Sequence, residues 1–214
     1  MMNKKDVTVT LQDDKEVKIY VTSPTAKTVQ RADRYRAKTW TECIEDGIKT
    51  KDELATMMKN RGVWTKDHEE RERDITQKLI QCEKDLYLGN GKKKVPLSDG
   101  KEIAVKMRVL RNELRQLYME RSSLEQNSAE ALADNARFDY LVSGSTFYEN
   151  GEKVYNGIED YNSKSSDEVA FAAAGALAEM MYNYDPSTEQ NLPENKWLKT
   201  FELVDDNLSL VNED

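Results

Sequence analysis

The stretch that decides the fold runs over Ile103–Leu124 and reads IAVKMRVLRNELRQLYMERSSL. Its apolar residues recur at alternating steps of four and three positions, with one interruption where Arg121 takes an apolar place. Such heptad spacing is typical of a helix that packs lengthwise against a partner helix. The preceding segment, Ile75–Leu86, repeats the rhythm. The two together predict a long antiparallel helical hairpin, coiled-coil-like, over residues 66–126.

The loop between the two predicted helices is rich in glycine and lysine, and Gly89–Lys94 reads GNGKKK. This resembles a phosphate-binding loop, but it lacks the Gly-Lys-Ser/Thr ending and has no strand before it. We therefore interpret it as a solvated hairpin tip that exposes Lys92–Lys94, and we expect no nucleotide site.

The N-terminal residues 1–23 are predicted to form a β-hairpin. Residues 6–11 and 16–21 alternate in polarity and are rich in β-branched side chains, with a polar turn between them. An isolated hairpin is marginal in water, so we expect it to serve as an interaction element rather than as core. Ser23-Pro24 is a helix-start signal, and it opens a helical region over residues 24–127.

The C-terminal part, residues 128–214, is predicted to be a smaller helical part with one further β-hairpin. That hairpin is placed near 146–155, because Asn150-Gly151 is a strong turn signal. The alanine-rich segment 167–183 is apolar nearly all round and is expected to be the most buried helix. The fold class is therefore mainly α, with the long helical hairpin and one or two β-hairpins.

The composition suits solvated helices rather than an enzyme with a deep pocket: 38% of residues are apolar and 34% are charged. The net charge of −8 disfavours direct nucleic-acid binding, which gains its affinity from basic side chains. No apolar run reaches the roughly 18–20 residues that cross a bilayer, and the N-terminus lacks the apolar segment of a secretory signal. We expect neither a membrane nor a nucleic-acid partner.

Residues that could carry chemistry are few. His68 is the only histidine, and Cys43 and Cys82 lack the spacing of a metal site. The many acidic pairs in a chain with 40 acidic residues are interpreted as solvated surface. The sequence therefore predicts no enzyme, no catalytic residue, no metal site and no cofactor.

Four residues are predicted to lie at an interface with another chain. Trp40, Trp64 and Trp197 are candidates because tryptophan is enriched at binding hot spots, although core packing is the alternative for all three. Arg121 interrupts the seam, and a charge buried there would need an acidic partner from another chain; the alternative is a snorkelling side chain.

Three stretches carry a resemblance to a known family: Gly47–Asp67 (GIKTKDELATMMKNRGVWTKD), Asn127–Val142 (NSAEALADNARFDYLV) and Asn191–Asn212 (NLPENKWLKTFELVDDNLSLVN). With the helical hairpin between the first two, the pattern resembles a poorly characterised protein family of large contractile-tailed bacteriophages, found among virion structural and tail-assembly genes. The resemblance covers roughly residues 24–212. It implies a virion component or a tail-assembly factor, and no active site.

These observations predict a non-catalytic bacteriophage structural or tail-assembly protein that acts through protein–protein contacts. Its expected partners are other phage structural proteins or itself, as an oligomer or within a larger assembly. The expected location is the host cytoplasm during assembly, with retention in the mature virion left open. The alternative is a small acidic adaptor or inhibitor that binds a host or phage enzyme, and an enzyme with an unrecognised site is the third hypothesis.

Overall fold

The computed structural model describes residues 3–89, 95–182 and 187–211, and the predicted mainly helical class is confirmed for them. A small antiparallel sheet accompanies the helices. In chain order the elements are β1 (Lys4–Thr10), β2 (Glu16–Thr22), α1 (Ala26–Glu45), α2 (Lys51–Asn60), α3 (Lys66–Leu88), α4 (Leu97–Glu125), α5 (Ala129–Ser145), β3 (Thr146–Tyr148), α6 (Ile158–Ser163), α7 (Glu168–Tyr182) and α8 (Pro193–Thr200).

The chain divides into two compact units, each made from two separate stretches of sequence. The first unit comprises Met1–Leu54 and Glu125–Tyr184, and the second comprises Ala55–Leu124 and Asp185–Asp214. The sequence predicted three consecutive parts, whereas the structure interleaves two.

The sheet of the first unit has the strand order β1-β2-β3, with both pairs antiparallel. The N-terminal hairpin is present as predicted, and Leu11 N–H donates to the Lys15 carbonyl at its turn (2.8 Å). The second predicted turn is present too: Tyr148 N–H donates to the Glu152 carbonyl (2.8 Å), and Gly151 takes φ +88°, which favours glycine. The sequence did not indicate that β3 would pair with β2.

The core of the first unit lies between this sheet and the helices α5 and α7. Val9, Ile19 and Val21 point inward from β1 and β2, and Leu141 and Leu177 meet them from the two helices. The prediction that the N-terminal hairpin stands outside the core is therefore wrong. Apolar and polar side chains alternate along its strands, and the helices cover the face on which the apolar side chains lie.

Helix α1 begins two residues later than predicted, with Thr25 as its N-cap. The Thr25 hydroxyl accepts from Thr28 N–H (3.2 Å), whereas Ser23 N–H donates to the Asn3 carbonyl (2.9 Å) and so continues the strand pairing. Helix α1 packs on α5 at short range, because a Cβ on Gly144 would lie 2.8 Å from a methyl carbon of Thr28.

Helices α3 and α4 of the second unit occupy nearly the predicted ranges. The buried residues of α3 are the predicted seam, Ile75, Leu79, Cys82 and Leu86. On α4 the buried positions include Met107, Leu110 and Leu117. The predicted tip residues Lys92–Lys94 lie outside the described residues, and coiled-coil packing of the two helices stays a prediction.

Helix α7 is less covered than its composition predicts. Ala170, Ala173, Ala176 and Leu177 face the core, but Phe171 and Tyr182 are 67% and 70% exposed. The expectation that this would be the most buried helix is therefore wrong for its outer face. No helix formed by the described residues is long and apolar enough to span a bilayer.

Candidate functional site

The four predicted interface residues do not form one site. Trp40 belongs to α1 of the first unit, and the other three belong to the second unit. Trp64 and Trp197 are buried, Trp40 is partly exposed, and Arg121 is exposed near the end of α4. Each residue therefore has to be assessed in its own surroundings.

Trp64 packs at the N-terminus of α3 and has a structural role there. Its ring stacks on His68 at a centroid distance of 4.8 Å. His68 Nδ1 accepts from Thr65 N–H (3.1 Å), so a histidine completes the capping box in the place usually held by glutamate or glutamine. The His68 ring is half-buried, because Trp64 covers it.

Trp197 anchors α8 against α4. A Cβ at Gly100 of α4 would overlap the indole ring, so glycine is what lets the two elements approach so closely. Phe201 also packs on the indole, with ring centroids 4.5 Å apart. Trp197 therefore has the surroundings of a core residue, which was the alternative interpretation of this tryptophan.

A row of arginines on α4 faces the C-terminal segment. Arg111 Nε donates to the Glu194 carboxylate, which is buried, and Arg108 donates to the Leu208 carbonyl (2.7 Å). Glu194 Oε2 and Asn195 Oδ1 are buried and have no hydrogen-bond partner among the described residues. The seam pattern accounted for the apolar residues of α4 but gave no signal for these polar contacts.

Arg121 does not sit in a buried seam. It is exposed, so it carries no desolvation cost that a second chain would have to offset. Its neighbour Tyr118 is also largely exposed, and burial and the nearby Glu72 carboxylate raise the pKa of that phenol, while Arg121 acts in the opposite direction. An exposed position is what the snorkelling alternative predicts for Arg121.

An apolar groove of about 460 Å³ lies where α3 ends, α4 begins and α8 passes. Tyr87, Leu88, Leu97 and Phe201 line it and are all exposed, with Leu88 at 73%. The remaining described lining residues are Leu86, Gly89, Val95, Trp197 and Thr200.

The described lining of the groove carries few polar side-chain atoms. The polar side-chain atoms of its described lining are the hydroxyls of Tyr87 and Thr200 and the indole nitrogen of Trp197. Tyr87 already donates to the Pro193 carbonyl (2.8 Å), and burial, then the Glu83 and Glu194 carboxylates, raise the pKa of its phenol. Such a lining can bind apolar side chains but supplies no carboxylate, ammonium or imidazole for catalysis.

No pattern in the sequence predicted this groove. The available signal was Tyr87-Leu88, two large apolar residues that follow Leu86 and extend past the last seam position. A solvated helix end does not need them, so they indicated an apolar surface at the end of the helix. That surface became visible only once α8 was placed beside it, which heptad spacing cannot predict.

A buried tyrosine pair in the first unit is the other cluster of titratable groups. Tyr155 and Tyr161 meet edge to face with centroids 5.0 Å apart, and the Tyr155 hydroxyl is buried with no described hydrogen-bond partner. Burial raises both phenol pKa values, that of Tyr161 to about 12, helped by Asp139. Burial also raises the pKa of Asp139, partly offset by its hydrogen bond with Tyr161. Neutral phenols of this kind are packing groups of the core.

Other sequence-level candidates stay separate from these clusters. Cys43 and Cys82 are free, buried thiols within α1 and α3. Of the phosphate-loop residues only Gly89 is described, as the residue that ends α3. Among residues 3–89, 95–182 and 187–211, no three histidine, cysteine, aspartate or glutamate side chains come together as a metal site.

Comparisons with known proteins add no identity. No protein-family model, no curated protein and no solved structure matches the chain. The resemblance to a phage family therefore stays a prediction from the residues that carry it.

Proposed function

We propose that the chain is a non-catalytic protein of a contractile-tailed bacteriophage, a structural or tail-assembly component, and that the apolar groove is where it contacts its partner. The observation that carries the proposal is the group of four large exposed side chains, Tyr87, Leu88, Leu97 and Phe201, around one concave surface. Exposed apolar side chains that are grouped around a concavity, rather than scattered singly over the surface, are typical of a contact site.

The scaffold we propose for this surface is the antiparallel, coiled-coil-like hairpin of α3 and α4. Two observations support it. Arg71 near the start of α3 donates to Glu113 in the second half of α4 (Nε–Oε1 2.8 Å), whereas Leu86 near the end of α3 and Leu97 at the start of α4 both line the groove. All four seam residues of α3 are buried, and on α4 the seam residues Met107, Leu110 and Leu117 are buried.

The partner we propose is an apolar segment of another phage structural protein. An amphipathic helix laid in a groove contributes a few large apolar anchors and leaves its polar side in water, and the described lining of this groove offers no charged group to pair with. The runner-up is a host or phage enzyme bound by an acidic adaptor or inhibitor. The net charge of −8 supports that reading, because negative surfaces are drawn to basic clefts.

A photo-crosslinking amino acid at Leu88, introduced during infection by the phage that encodes the chain, tests the proposal. The matched control places the same group at Met119, which is 65% exposed but lies on α4 outside the groove lining. We expect position 88, and not position 119, to crosslink to a phage structural protein in particles or assembly intermediates.

Two outcomes would contradict the proposal. Equal crosslinking from both positions would show that the groove is not a specific contact. A crosslink from position 88 to a host enzyme, with binding that weakens as salt rises, would favour the adaptor or inhibitor instead.

A further inference from the structure

The sequence contains three Asn-Gly pairs, and the structure describes two of them. Asn150-Gly151 forms the turn after β3, and Asn156-Gly157 precedes α6, with Gly157 as the N-cap of that helix. All four residues are exposed. The third pair, Asn90-Gly91, lies outside the described residues. Because the two described pairs have the same chemistry, a difference in their reactivity has to come from their surroundings.

The Asn150-Gly151 pair is held by three hydrogen bonds. Gly151 N–H donates to the Tyr148 carbonyl (2.9 Å). The Asn150 carboxamide is fixed through both of its polar atoms, because Oδ1 accepts from Glu152 N–H (3.0 Å) and Nδ2 donates to the Glu152 carboxylate (2.9 Å). A reaction between this carboxamide and the Gly151 nitrogen would have to break these bonds first.

The Asn156-Gly157 pair has none of these restraints. Among the residues that the structure describes, neither the Asn156 carboxamide nor Gly157 N–H has a hydrogen-bond partner. Apart from the adjacent residues, no described atom lies within 4 Å of the place where a Gly157 Cβ would stand. The carboxamide can therefore turn toward the Gly157 nitrogen, which no side chain shields.

We propose that Asn156 is a site of spontaneous deamidation, whereas Asn150 is protected from it. The Gly157 nitrogen loses its proton to water and attacks Asn156 Cγ, which forms a new C–N bond. The bond from Cγ to Nδ2 then breaks, and Nδ2 takes up a proton and leaves as ammonia. Water opens the resulting succinimide at either carbonyl and gives aspartate or isoaspartate. Water is the only co-reactant, and nothing is oxidised or reduced.

The modified residue lies directly beside the buried tyrosine pair. Tyr155 precedes it, and the Tyr155 ring meets that of Tyr161 edge to face. Asn156 N–H donates to the Asp160 carboxylate in the first turn of α6 (2.9 Å). An isoaspartate routes the backbone through the side chain and so adds one carbon between the two tyrosines. Because both rings are fixed in the core, the short segment between them has to take up the extra length. We therefore expect isoaspartate to loosen the start of α6.

This inference does not depend on the proposed function. The tyrosine pair belongs to the first unit and the groove to the second, so the two can fail separately.

Peptide mapping of the folded chain during incubation at mildly alkaline pH tests the site. Trypsin cuts after Lys153 and so places Asn150 and Asn156 in different peptides, whose aspartate and isoaspartate forms are quantified by mass spectrometry. We expect Asn156 to convert at least about tenfold faster than Asn150, because hydrogen bonds restrain only the second. In concentrated urea, where both turns are unfolded, the two residues should convert at similar rates. Equal rates in the folded chain, faster conversion of Asn150, or a difference that persists in urea would each overturn the proposal.

Asn156→Gln is the matched variant for the effect on the core. It keeps an exposed carboxamide, but its longer side chain would have to close a six-membered ring, which forms far more slowly. After the same incubation, the parent should lose hydrogen-exchange protection in residues 155–163 and the variant should keep it. Equal loss in both chains, or unchanged protection in a parent chain that carries isoaspartate at position 156, would contradict the coupling to α6.

Discussion

Replacing Arg111 with methionine removes the cation that pairs with a fully buried carboxylate of the second unit, Glu194. The Glu194 side chain is only 1% exposed, one of its oxygens accepts from Arg111 Nε, and the other has no hydrogen-bond partner among the described residues. Methionine keeps the aliphatic bulk of the arginine stem but donates nothing. The carboxylate would then be buried without its cation.

The magnitude follows from the burial of the two partners. Removing one member of a fully buried ion pair costs about 3–5 kcal/mol. Arg111 itself keeps 29% of its side chain exposed, so water already screens part of the interaction, and we expect a loss of about 2–3 kcal/mol in the free energy of unfolding. For a chain of this length that corresponds to a fall in Tm of roughly 5–10 °C.

Urea unfolding followed by far-ultraviolet circular dichroism measures this loss, and Arg115→Met is the control. Arg115 lies one turn further along α4 and pairs with Glu189 at 3.5 Å, but both side chains are more than half exposed (57% and 63%). That change should cost less than about 0.5 kcal/mol. The double variant Arg111→Met/Glu194→Leu should recover most of the lost stability, because no charge is then left buried. Equal costs for the two arginines, or no recovery in the double variant, would refute the reasoning.

Three further outcomes are expected. Deleting residues 3–22 should unfold the first unit, because the inner face of the hairpin is core, and retained hydrogen-exchange protection in α5 and α7 would contradict this. His68→Ala should cost about 0.5–1 kcal/mol in urea unfolding, whereas His68→Gln, which can still accept the Thr65 N–H, should cost less; equal losses would argue against the cap. Asp139→Asn should raise the free energy of unfolding near pH 7 and leave it unchanged below about pH 3. Burial raises the pKa of the Asp139 carboxyl in the folded state, so the protonated carboxyl is favoured there and its contribution to stability is lost as the pH rises. The asparagine side chain does not ionise and therefore avoids this loss. An Asp139→Asn variant that is no more stable than the parent near pH 7 would contradict this third prediction.

Local patterns in the sequence predicted most of the elements. Heptad spacing placed α3 and α4, alternation placed β1 and β2, and Asn150-Gly151 placed the turn after β3. These signals depend on neighbours within a few positions of one another, which is what periodicity and turn chemistry report.

Contacts between distant parts of the chain were not predictable in this way. Strand β3 pairs with β2 across more than a hundred residues, and Glu194 is buried by an arginine on another helix. The helix α6 carries no heptad or strong cap and was missed. The exposed face of α7 was misjudged because composition reports how apolar a helix is, not how many of its sides find a partner.

The candidate groove was likewise predictable only where its residues are neighbours in the sequence. Its residues come from three segments, and only Tyr87-Leu88 left a trace in the sequence, as apolar residues beyond the last buried seam position. Trp197 was selected for its residue type, and the reason it is buried is a glycine nearly a hundred residues away. The sequence alone does not indicate that Gly100 and Trp197 meet in the folded chain.

The most direct test of the central claim, that the groove contacts a partner during phage assembly, is a comparison of particle yield from phages that carry Leu88→Lys or Met119→Lys. Both residues are highly exposed, so neither change should unfold the chain, and circular dichroism checks that. We expect Leu88→Lys to lower the yield of complete tails and Met119→Lys to leave it unchanged, because only the first puts a charge into the apolar groove. Normal tails in both phages, or equal losses in both, would contradict it.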